Sequence, residues 1–400
     1  ELNYGPLSAS YFKADVEELA TLSSGLIADV TQRPSDKEFY SLEYKTDLSD
    51  VWSLQADYSM NRASVAASTE YDAQDSVYEI ISHAEYSAAT IDLGARLRRN
   101  ILKTPDGKTA SDVSYRSVFS QLSINPIDEL QVIIGLQAVD PETSDIQYAP
   151  RLSLIAEFEK QYHLKLMYGR AYSSPTGVEF SLDLPGLFSG NTDLLATTID
   201  NYDFQISYND EALLAAFNIF YSDIKNTIEL IEINPGQALP KRFENIDAER
   251  HKGFELELKY NYSPNLQLLS SYSYQTSTNS SGKKDTKLLS NTLFKTGISY
   301  EISEPLSLSI FNVYHSQPSN RDPIINSYNK KESSYSHMTI NLNYRLPISS
   351  QDSKSLSLNL FIDNALNGDA IFLPDPTLSN LNTLPKVAGR AYYLGIRLSF

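Results

Sequence analysis

The last ten residues, 391–400, constrain the fold of this chain more than any other segment. Their side chains alternate strictly, and one face carries only large apolar residues, namely Tyr392, Leu394, Ile396, Leu398 and Phe400. A period of two is the spacing of a β-strand, in which successive side chains point to opposite faces. A membrane β-barrel accommodates such a strand, because lipid covers the apolar face and a polar lumen meets the other.

The same alternation recurs along the chain, for example in residues 202–208, 254–262, 338–346 and 356–362. Runs of about nine to twelve residues have the length that a tilted strand needs to cross the hydrocarbon layer. The pattern predicts about 18 strands, near residues 12–28, 36–46, 51–61, 75–87, 90–100, 113–123, 128–138, 148–158, 161–170, 200–208, 212–231, 242–262, 265–277, 290–302, 306–315, 334–346, 354–364 and 388–400.

The connections between these strands alternate in length. Short ones fall at residues 47–50, 87–89, 125–127, 159–160, 209–211, 263–264 and 303–305. Long ones fall between them, at residues 62–69, 101–109, 140–147, 172–199, 234–241, 278–289, 316–333 and 365–387, and residues 347–353 are of middling length. Outer-membrane barrels have short turns on the periplasmic side and long loops outside. The sequence therefore predicts one transmembrane, antiparallel, up-and-down β-barrel over residues 1–400.

The composition excludes several other classes of protein. No segment approaches the roughly 18 consecutive apolar residues of a membrane helix. A formal net charge of −17 argues against a nucleic-acid partner. The chain has no cysteine, and its five histidines are not spaced as metal ligands. Because no nucleophile, nucleotide-binding or acid–base motif is recognisable, we expect no enzyme activity, no cofactor and no metal site.

Six segments between residues 150 and 400 resemble, in chain order, segments of one protein family. They are Tyr168-Gly169-Arg170-Ala171-Tyr172 with Pro175 and Glu179, Gly190-Asn191 with residues 194–202, residues 217–225, Asn245 and Ala248 with residues 253–257, residues 361–366, and Gly389-Arg390 with residues 395–400. The family is that of the TonB-dependent outer-membrane receptors. The resemblance depends on the order of the six segments along the chain. Residues 1–150 match the family only in their alternation of apolar and polar residues.

The resemblance implies a receptor barrel in the outer membrane of a Gram-negative bacterium. Such a receptor binds a scarce, bulky solute, most often a ferric siderophore, and imports it with energy delivered by TonB. Family barrels have about 22 strands and a plugged lumen, so the first strands and the plug, which contacts TonB, are expected to be absent here. The resemblance also implies a monomer surrounded by outer-membrane lipid, with Phe400 recognised by the barrel assembly machinery.

Candidate ligand-binding residues lie in the predicted outward loops and at the rim. Arginines suit an anionic ferric chelate, and aromatic side chains suit a ligand with a flat or apolar part. The candidates are Arg170, Tyr172, Phe180, Phe188, Arg242, Arg321, Tyr328 and Phe372. Ordinary rim charges and packing within the loops explain the same residues, so both interpretations stay open.

Two other functions fit parts of the pattern. A passive, porin-like diffusion channel would keep the barrel but need no plug, and the sequence preceding Glu1 would distinguish it from a receptor. No signal peptide is recognisable at Glu1. A soluble all-β binding protein would explain alternation in single strands, but it gives no reason for the alternating connection lengths.

Overall fold

The computed structural model describes residues 2–23, 28–66, 70–104, 106–181, 183–184, 186, 188–234, 240–246, 248–285, 290–317, 333–347, 355–368 and 389–399. Within these residues, 19 strands belong to one sheet and four to a second, smaller sheet. Across the same ranges, no helix has the length and apolar character needed to cross a membrane.

The strands follow the chain with few interruptions. The first are β1 Leu2–Tyr4, β2 Leu7–Ser23, β3 Ala28–Asp47, β4 Trp52–Ala66, β5 Glu70–Tyr86, β6 Ala89–Lys103, β7 Thr109–Ile127, β8 Leu130–Pro141, β9 Gln147–Phe158 and β10 Tyr162–Ser173. Then come α1 Gly177–Ser181, β11 Asp183–Leu184, β12 Phe188–Ser189, β13 Thr197–Asn209, β14 Leu213–Lys225, β15 Thr227–Glu232, β16 Lys241–Ile246 and β17 Glu249–Ser263. The last are β18 Leu266–Asn279, β19 Thr292–Ser303, β20 Leu306–His315, β21 Tyr335–Pro347, β22 Ser355–Asp363 and β23 Ala391–Ser399.

The chain divides into two compact units. Unit 1 comprises Glu1–Ala156, Leu166–Tyr202 and Ser222–Glu249, and unit 2 comprises Glu157–Lys165, Asp203–Tyr221 and Arg250–Phe400. In unit 1 each strand from β1 to β8 pairs antiparallel with the next, as in an up-and-down meander. In unit 2 the strands β18 to β23 pair in the same way.

The register in unit 1 separates a polar face from an apolar face. On the polar face, Glu79 of β5 lies opposite Arg96 of β6. One residue further along, Ile80 lies opposite Ala95, which lies opposite Val118 of β7. Ile80 and Val118 are 47% and 61% exposed. An apolar face this open to its surroundings is typical of a surface that contacts lipid.

Aromatic side chains cross the apolar face of unit 1 in a row. The ring centroids of Tyr11 and Tyr40 are 4.9 Å apart, and those of Tyr58 and Tyr78 are 4.8 Å apart. Ion pairs follow on the side of the long connections, including Arg62–Asp72 and Arg99–Asp112. This order is expected where a barrel leaves the hydrocarbon layer: apolar residues come first, an aromatic row follows, and charged residues come last.

Unit 2 contains the terminal strand from which the prediction began. Leu394, Ile396 and Leu398 of β23 lie opposite Leu360, Leu358 and Leu356 of β22. Leu394 and Ile396 are 74% and 69% exposed, so this face is also open. The alternation predicted for residues 391–399 is confirmed, whereas Phe400 lies outside the described residues.

Two of the predicted strands are wrong, because the structure divides each of these segments into two separate strands. The segment 212–231 breaks at Asn226, whose φ of 55° lies in the left-handed region and ends β14 before β15 begins. The segment 242–262 divides into β16 and β17. At the other end of the chain β1 is an additional strand, and its three residues are too few to produce a detectable alternation.

Several long connections among β4 to β9 are shorter than predicted because the strands continue into them. β3 has 20 residues and β7 has 19, well beyond the predicted nine to twelve. β4 ends at Ala66 and β5 begins at Glu70. Strand β4 therefore occupies most of the segment 62–69 that was expected to be a loop. The predicted short turns remain short, for example between Tyr86 and Ala89.

Candidate functional site

The connections between β10 and β13 and between β14 and β17 meet in the second, smaller sheet. This sheet, hereafter the small sheet, consists of β11, β12, β16 and β15 in that order. β12 runs parallel to β16, with Phe188 opposite Lys241 and Ser189 opposite Arg242. β15 and β16 form an antiparallel hairpin. Two segments far apart in sequence are thereby held together at the long-connection end of unit 1.

Asn191 joins β12 to β16 through its side chain. Its Nδ2 donates to the carbonyl oxygen of Phe243 at 3.0 Å and to Oε2 of Glu244 at 3.2 Å. Its Oδ1 accepts a hydrogen bond of 3.0 Å from Nη2 of Arg242. Asn191 is only 5% exposed, so these contacts satisfy a polar side chain that water does not reach.

Asn245 of β16 provides a second connection. Its Oδ1 accepts from the backbone N–H of Leu195 at 2.7 Å, and its Nδ2 donates to the carbonyl oxygens of Leu195 at 3.0 Å and Asn226 at 2.8 Å. The hydroxyl of Thr197 also donates to the Asn226 carbonyl, at 2.8 Å. One amide side chain thus fixes both the start of β13 and the turn between β14 and β15.

The segment preceding the small sheet, residues 174–181, contains α1. Glu179 accepts a 2.7 Å hydrogen bond from the Thr176 N–H, and the Thr176 hydroxyl accepts one of 3.3 Å from the Glu179 N–H. This reciprocal pair is a capping box, which satisfies backbone donors at the start of a helix. Pro175 is fully buried, and the Thr143 hydroxyl donates to its carbonyl oxygen at 3.1 Å.

α1 lies close to the polar face of β7. A Cβ on Gly177 would overlap the side chain of Ser111, and the side chain of Val113 lies just beyond it. Ser111 and Val113 share a face with Tyr115, which lies opposite Arg98 of β6. Because glycine has no Cβ, α1 can pack directly against β7 at Gly177.

A cavity of about 540 Å³ lies between the start of α1 and the polar faces of β2 to β7. Its walls include Phe12, Phe39, Asn61, Asp75, Asn100 and residues 176–178. The volume falls within the usual range for small-molecule sites, and the mixture of aromatic and polar walls is typical of them. It is one of the concave sites that the described residues of unit 1 offer to a ligand.

The structure brings three of the residues predicted as ligand-binding close together, because the Asn191 N–H donates to the Glu179 carbonyl of α1 and β12 pairs with β16. Phe180 is in α1, Phe188 and Arg242 are in the small sheet, and Tyr172 is near the end of β10. The rings of Phe188 and Phe243 pack edge to face with centroids 5.5 Å apart. Tyr172 lies within electrostatic range of the polar-face residues Arg96 and Tyr115. All four belong to unit 1.

Arg170 is placed differently. Its Nε and Nη2 donate to the two carboxylate oxygens of Asp200 at 2.8 and 2.9 Å, and the Tyr168 hydroxyl donates to the same carboxylate. The Tyr168 and Tyr202 rings lie 5.0 Å apart on that side, and Tyr202 is 49% exposed. Arg170 thus belongs with the ion pairs of the apolar face. The candidates Arg321, Tyr328 and Phe372 lie outside the described residues.

Sequence reasoning missed the residues on the cavity wall. Phe39 occupies a position in β3 whose neighbours on the same face are Lys37 and Ser41, and Phe12 lies directly opposite it. Large aromatic side chains on an otherwise polar face were the signal that could have identified them. Among the residues that the structure describes, no group of three or more His, Cys, Asp or Glu could hold a metal ion.

Solved structures share this fold. The siderophore receptor PirA from Pseudomonas aeruginosa is 15% identical with a TM-score of 0.69, over 91% of this chain and 62% of that one. A mutant of the ferric enterobactin receptor PfeA from the same organism is 16% identical with a TM-score of 0.75, over 98% and 66%. The copper transporter OprC is 15% identical with a TM-score of 0.75, over 98% and 68%. The chain thus spans about 62% of PirA's length.

No curated protein matches the chain in sequence. Residues 3–365 match the family described as TonB dependent receptor-like, beta-barrel. Members of this family are receptors of the Gram-negative outer membrane and not enzymes. The match covers most of the chain and confirms the predicted antiparallel β-barrel, so the chain belongs to the TonB-dependent receptor-like β-barrel family.

Proposed function

We propose that this chain is the barrel of an outer-membrane receptor that binds a bulky solute at its outward end and imports it with energy supplied through TonB. The cavity between α1 and β2–β7 carries the proposal, because it is concave, lies on the polar face and adjoins the long connections. In barrels of this type the long loops face outward, so the cavity opens toward arriving ligand.

Phe12 and Phe39 form the apolar part of the proposed site. Tyr172, Phe180, Phe188 and Arg242 form its rim. Arg170 is not included, because both carboxylate oxygens of Asp200 already engage its guanidinium. The ligand that the family resemblance favours is a ferric siderophore, because PirA is a siderophore receptor and PfeA a ferric enterobactin receptor.

We propose the remaining partners by analogy with the family. The barrel is a monomer in the outer membrane of a Gram-negative bacterium, surrounded by lipid on its apolar face, with residues 1–400 forming one barrel domain. TonB engages the receptor through a plug domain of the kind that the resemblance implies. Phe400 is the signal for the barrel assembly machinery.

Uptake of radiolabelled iron(III) chelates by cells that produce the receptor tests the proposal. We expect accumulation that stops when a protonophore dissipates the energy of the inner membrane. Uptake that continues unchanged in de-energised cells would contradict active import and favour the passive, porin-like channel.

A pair of neighbouring substitutions tests the site itself. Phe39→Ala removes an aromatic wall of the cavity, and Tyr40→Ala removes an aromatic side chain of similar size from the opposite face. We expect chelate affinity to fall about tenfold with Phe39→Ala, as for a buried aromatic contact, and to stay within twofold with Tyr40→Ala. Equal effects would show that the cavity is not the binding site.

A further inference from the structure

We infer that the cavity selects an uncharged or weakly charged ligand that bears hydrogen-bond donors and an apolar part, in preference to a polyanionic chelate. This inference rests on the proposed function and names the class of solute that the same cavity accepts. It depends on the pairing of the charges around the cavity, on the carboxylate that faces it and on its uncharged walls.

Every described cation at the cavity already has a partner. Nε and Nη2 of Arg98, on the polar face of β6, donate to the two carboxylate oxygens of Asp75, both at 2.9 Å. Arg62, which lines the cavity from the apolar-face side of β4, donates to Asp72 at 3.3 Å. Lys37 also has a polar or electrostatic partner. A polyanion is recognised by cations that can form charge-assisted hydrogen bonds with it, and here those bonds are already made within the protein.

A carboxylate, Asp75, lines the cavity from the polar face of β5. Arg62 and Glu38 also line the cavity, but they lie opposite each other on the apolar face. Favourable association needs opposite potentials on the two surfaces, and juxtaposed like charges oppose it. An anionic chelate entering this cavity would meet the Asp75 carboxylate and would have to compete with it for Arg98.

The uncharged walls fit a different ligand. Asn61 and Asn100 present side-chain amides, and Oδ1 of Asn100 is buried without a hydrogen-bond partner among the described residues. A donor on a ligand could satisfy such an acceptor, which is costly to leave unpaired. Phe12 and Phe39 offer apolar area beside it. Together these walls favour a neutral, donor-bearing ligand with an aliphatic or aromatic portion.

Equilibrium binding to the receptor in lipid nanodiscs tests the inference, with a neutral iron(III) tris-hydroxamate and a triply anionic iron(III) tris-catecholate as probes. We expect the neutral chelate to bind at least about tenfold more tightly. Asp75→Asn frees Arg98, and we expect it to strengthen binding of the anionic chelate by about tenfold while changing the neutral one little.

Asp112→Asn is the matched control. Asp112 pairs with Arg99, the neighbour of Arg98, but on the apolar face, so this variant makes the same charge change away from the cavity. We expect it to leave both affinities within twofold of the wild type. The control separates local charge at the cavity from the effect of net charge on the whole receptor.

Three outcomes are informative. Preference for the neutral chelate, reversed or reduced by Asp75→Asn alone, supports the inference. Tighter binding of the anionic chelate to the wild type overturns it while leaving the receptor function intact. Absence of binding by both chelates, together with absence of energy-dependent uptake, overturns the proposed function and the inference with it.

Discussion

The strand wall of unit 1 and the small sheet beside it are stabilised in different ways. In the wall, β2 to β9 are specified by alternation, and each backbone hydrogen bond goes to the neighbouring strand. In the small sheet the strands have two to six residues, and side chains such as Asn191 and Asn245 hold them in place. The wall therefore tolerates change in its connections, whereas the small sheet depends on single residues.

The largest effect is expected from a charge placed on the lipid face of the wall. Leu136 is 48% exposed on the apolar face of β8, and Gln137 is its neighbour on the polar face. Leu136→Arg should destabilise the barrel by about 2–4 kcal/mol, because the guanidinium would lie in hydrocarbon. Gln137→Arg should change stability little. Urea unfolding in lipid vesicles measures both, and equal losses would contradict the assignment of faces.

A smaller loss is expected where strand packing leaves no room for a methyl group. A Cβ on Gly253 of β17 would overlap the backbone carbonyl of Tyr274, whereas Gly169 of β10 has no atom within 4 Å of that position. Gly253→Ala should cost about 1–3 kcal/mol through backbone displacement. Gly169→Ala should stay within about 0.5 kcal/mol of the wild type in the same unfolding assay. A Gly253→Ala barrel of unchanged stability would show that β17 and β18 can separate freely.

The small sheet should open locally when its side-chain connection is lost. Asn245→Ala removes three hydrogen bonds, so the N–H of Leu195 should exchange with solvent at least about tenfold faster, as expected for a lost buried bond. Asn245→Asp keeps the acceptor for Leu195 and should have a weaker effect. Amide exchange in the wall should not change in either variant. Faster exchange throughout β2 to β9 would mean that the two regions unfold as one.

The smallest effect concerns a hairpin turn outside the membrane-spanning strands. Hydrogen bonds from Lys108 and then Thr104 lower the pKa of Asp106 to about 2. Since an unperturbed aspartate titrates near 3.9, the turn gains its stabilisation above that pH and loses it as pH falls toward about 2. Carboxyl NMR titration should give a midpoint near 2 and no change in the wall. A midpoint near 4 would show that the Lys108 contact is not formed in solution.

The wall could be predicted from the sequence because alternation identifies a strand and the length of a run identifies a membrane crossing. Each predicted strand from β4 to β9 coincides with an observed one, most closely 148–158 with Gln147–Phe158, although β4 to β7 extend beyond their predicted bounds. In these strands the polarity of each side chain indicates which face it occupies. A longer run therefore gives stronger evidence for the strand and its orientation. The predicted family is also confirmed, because the family match extends over residues 3–365.

The small sheet and the cavity could not be predicted in this way. Asn191 and Asn245 lie 51 and 50 residues from their partners Arg242 and Leu195, and no local pattern encodes such contacts. Arg170 resembled a free rim cation because its partner Asp200 lies 30 residues away. The wall of the cavity combines one to three residues from each of six strands, so only the register of the sheet reveals it.

Thiol labelling of single cysteine variants in intact outer membranes tests the central claim most directly, because the native chain contains no cysteine. Asn61→Cys lies in the cavity, and Val118→Cys lies on the apolar face, where the native side chain is 61% exposed. We predict that a hydrophilic maleimide modifies Asn61→Cys, that a saturating neutral chelate slows this reaction, and that Val118→Cys stays unlabelled beneath lipid. Rapid labelling of Val118→Cys, or labelling of Asn61→Cys that no chelate slows, would contradict a lipid-embedded barrel with a ligand site on its polar face.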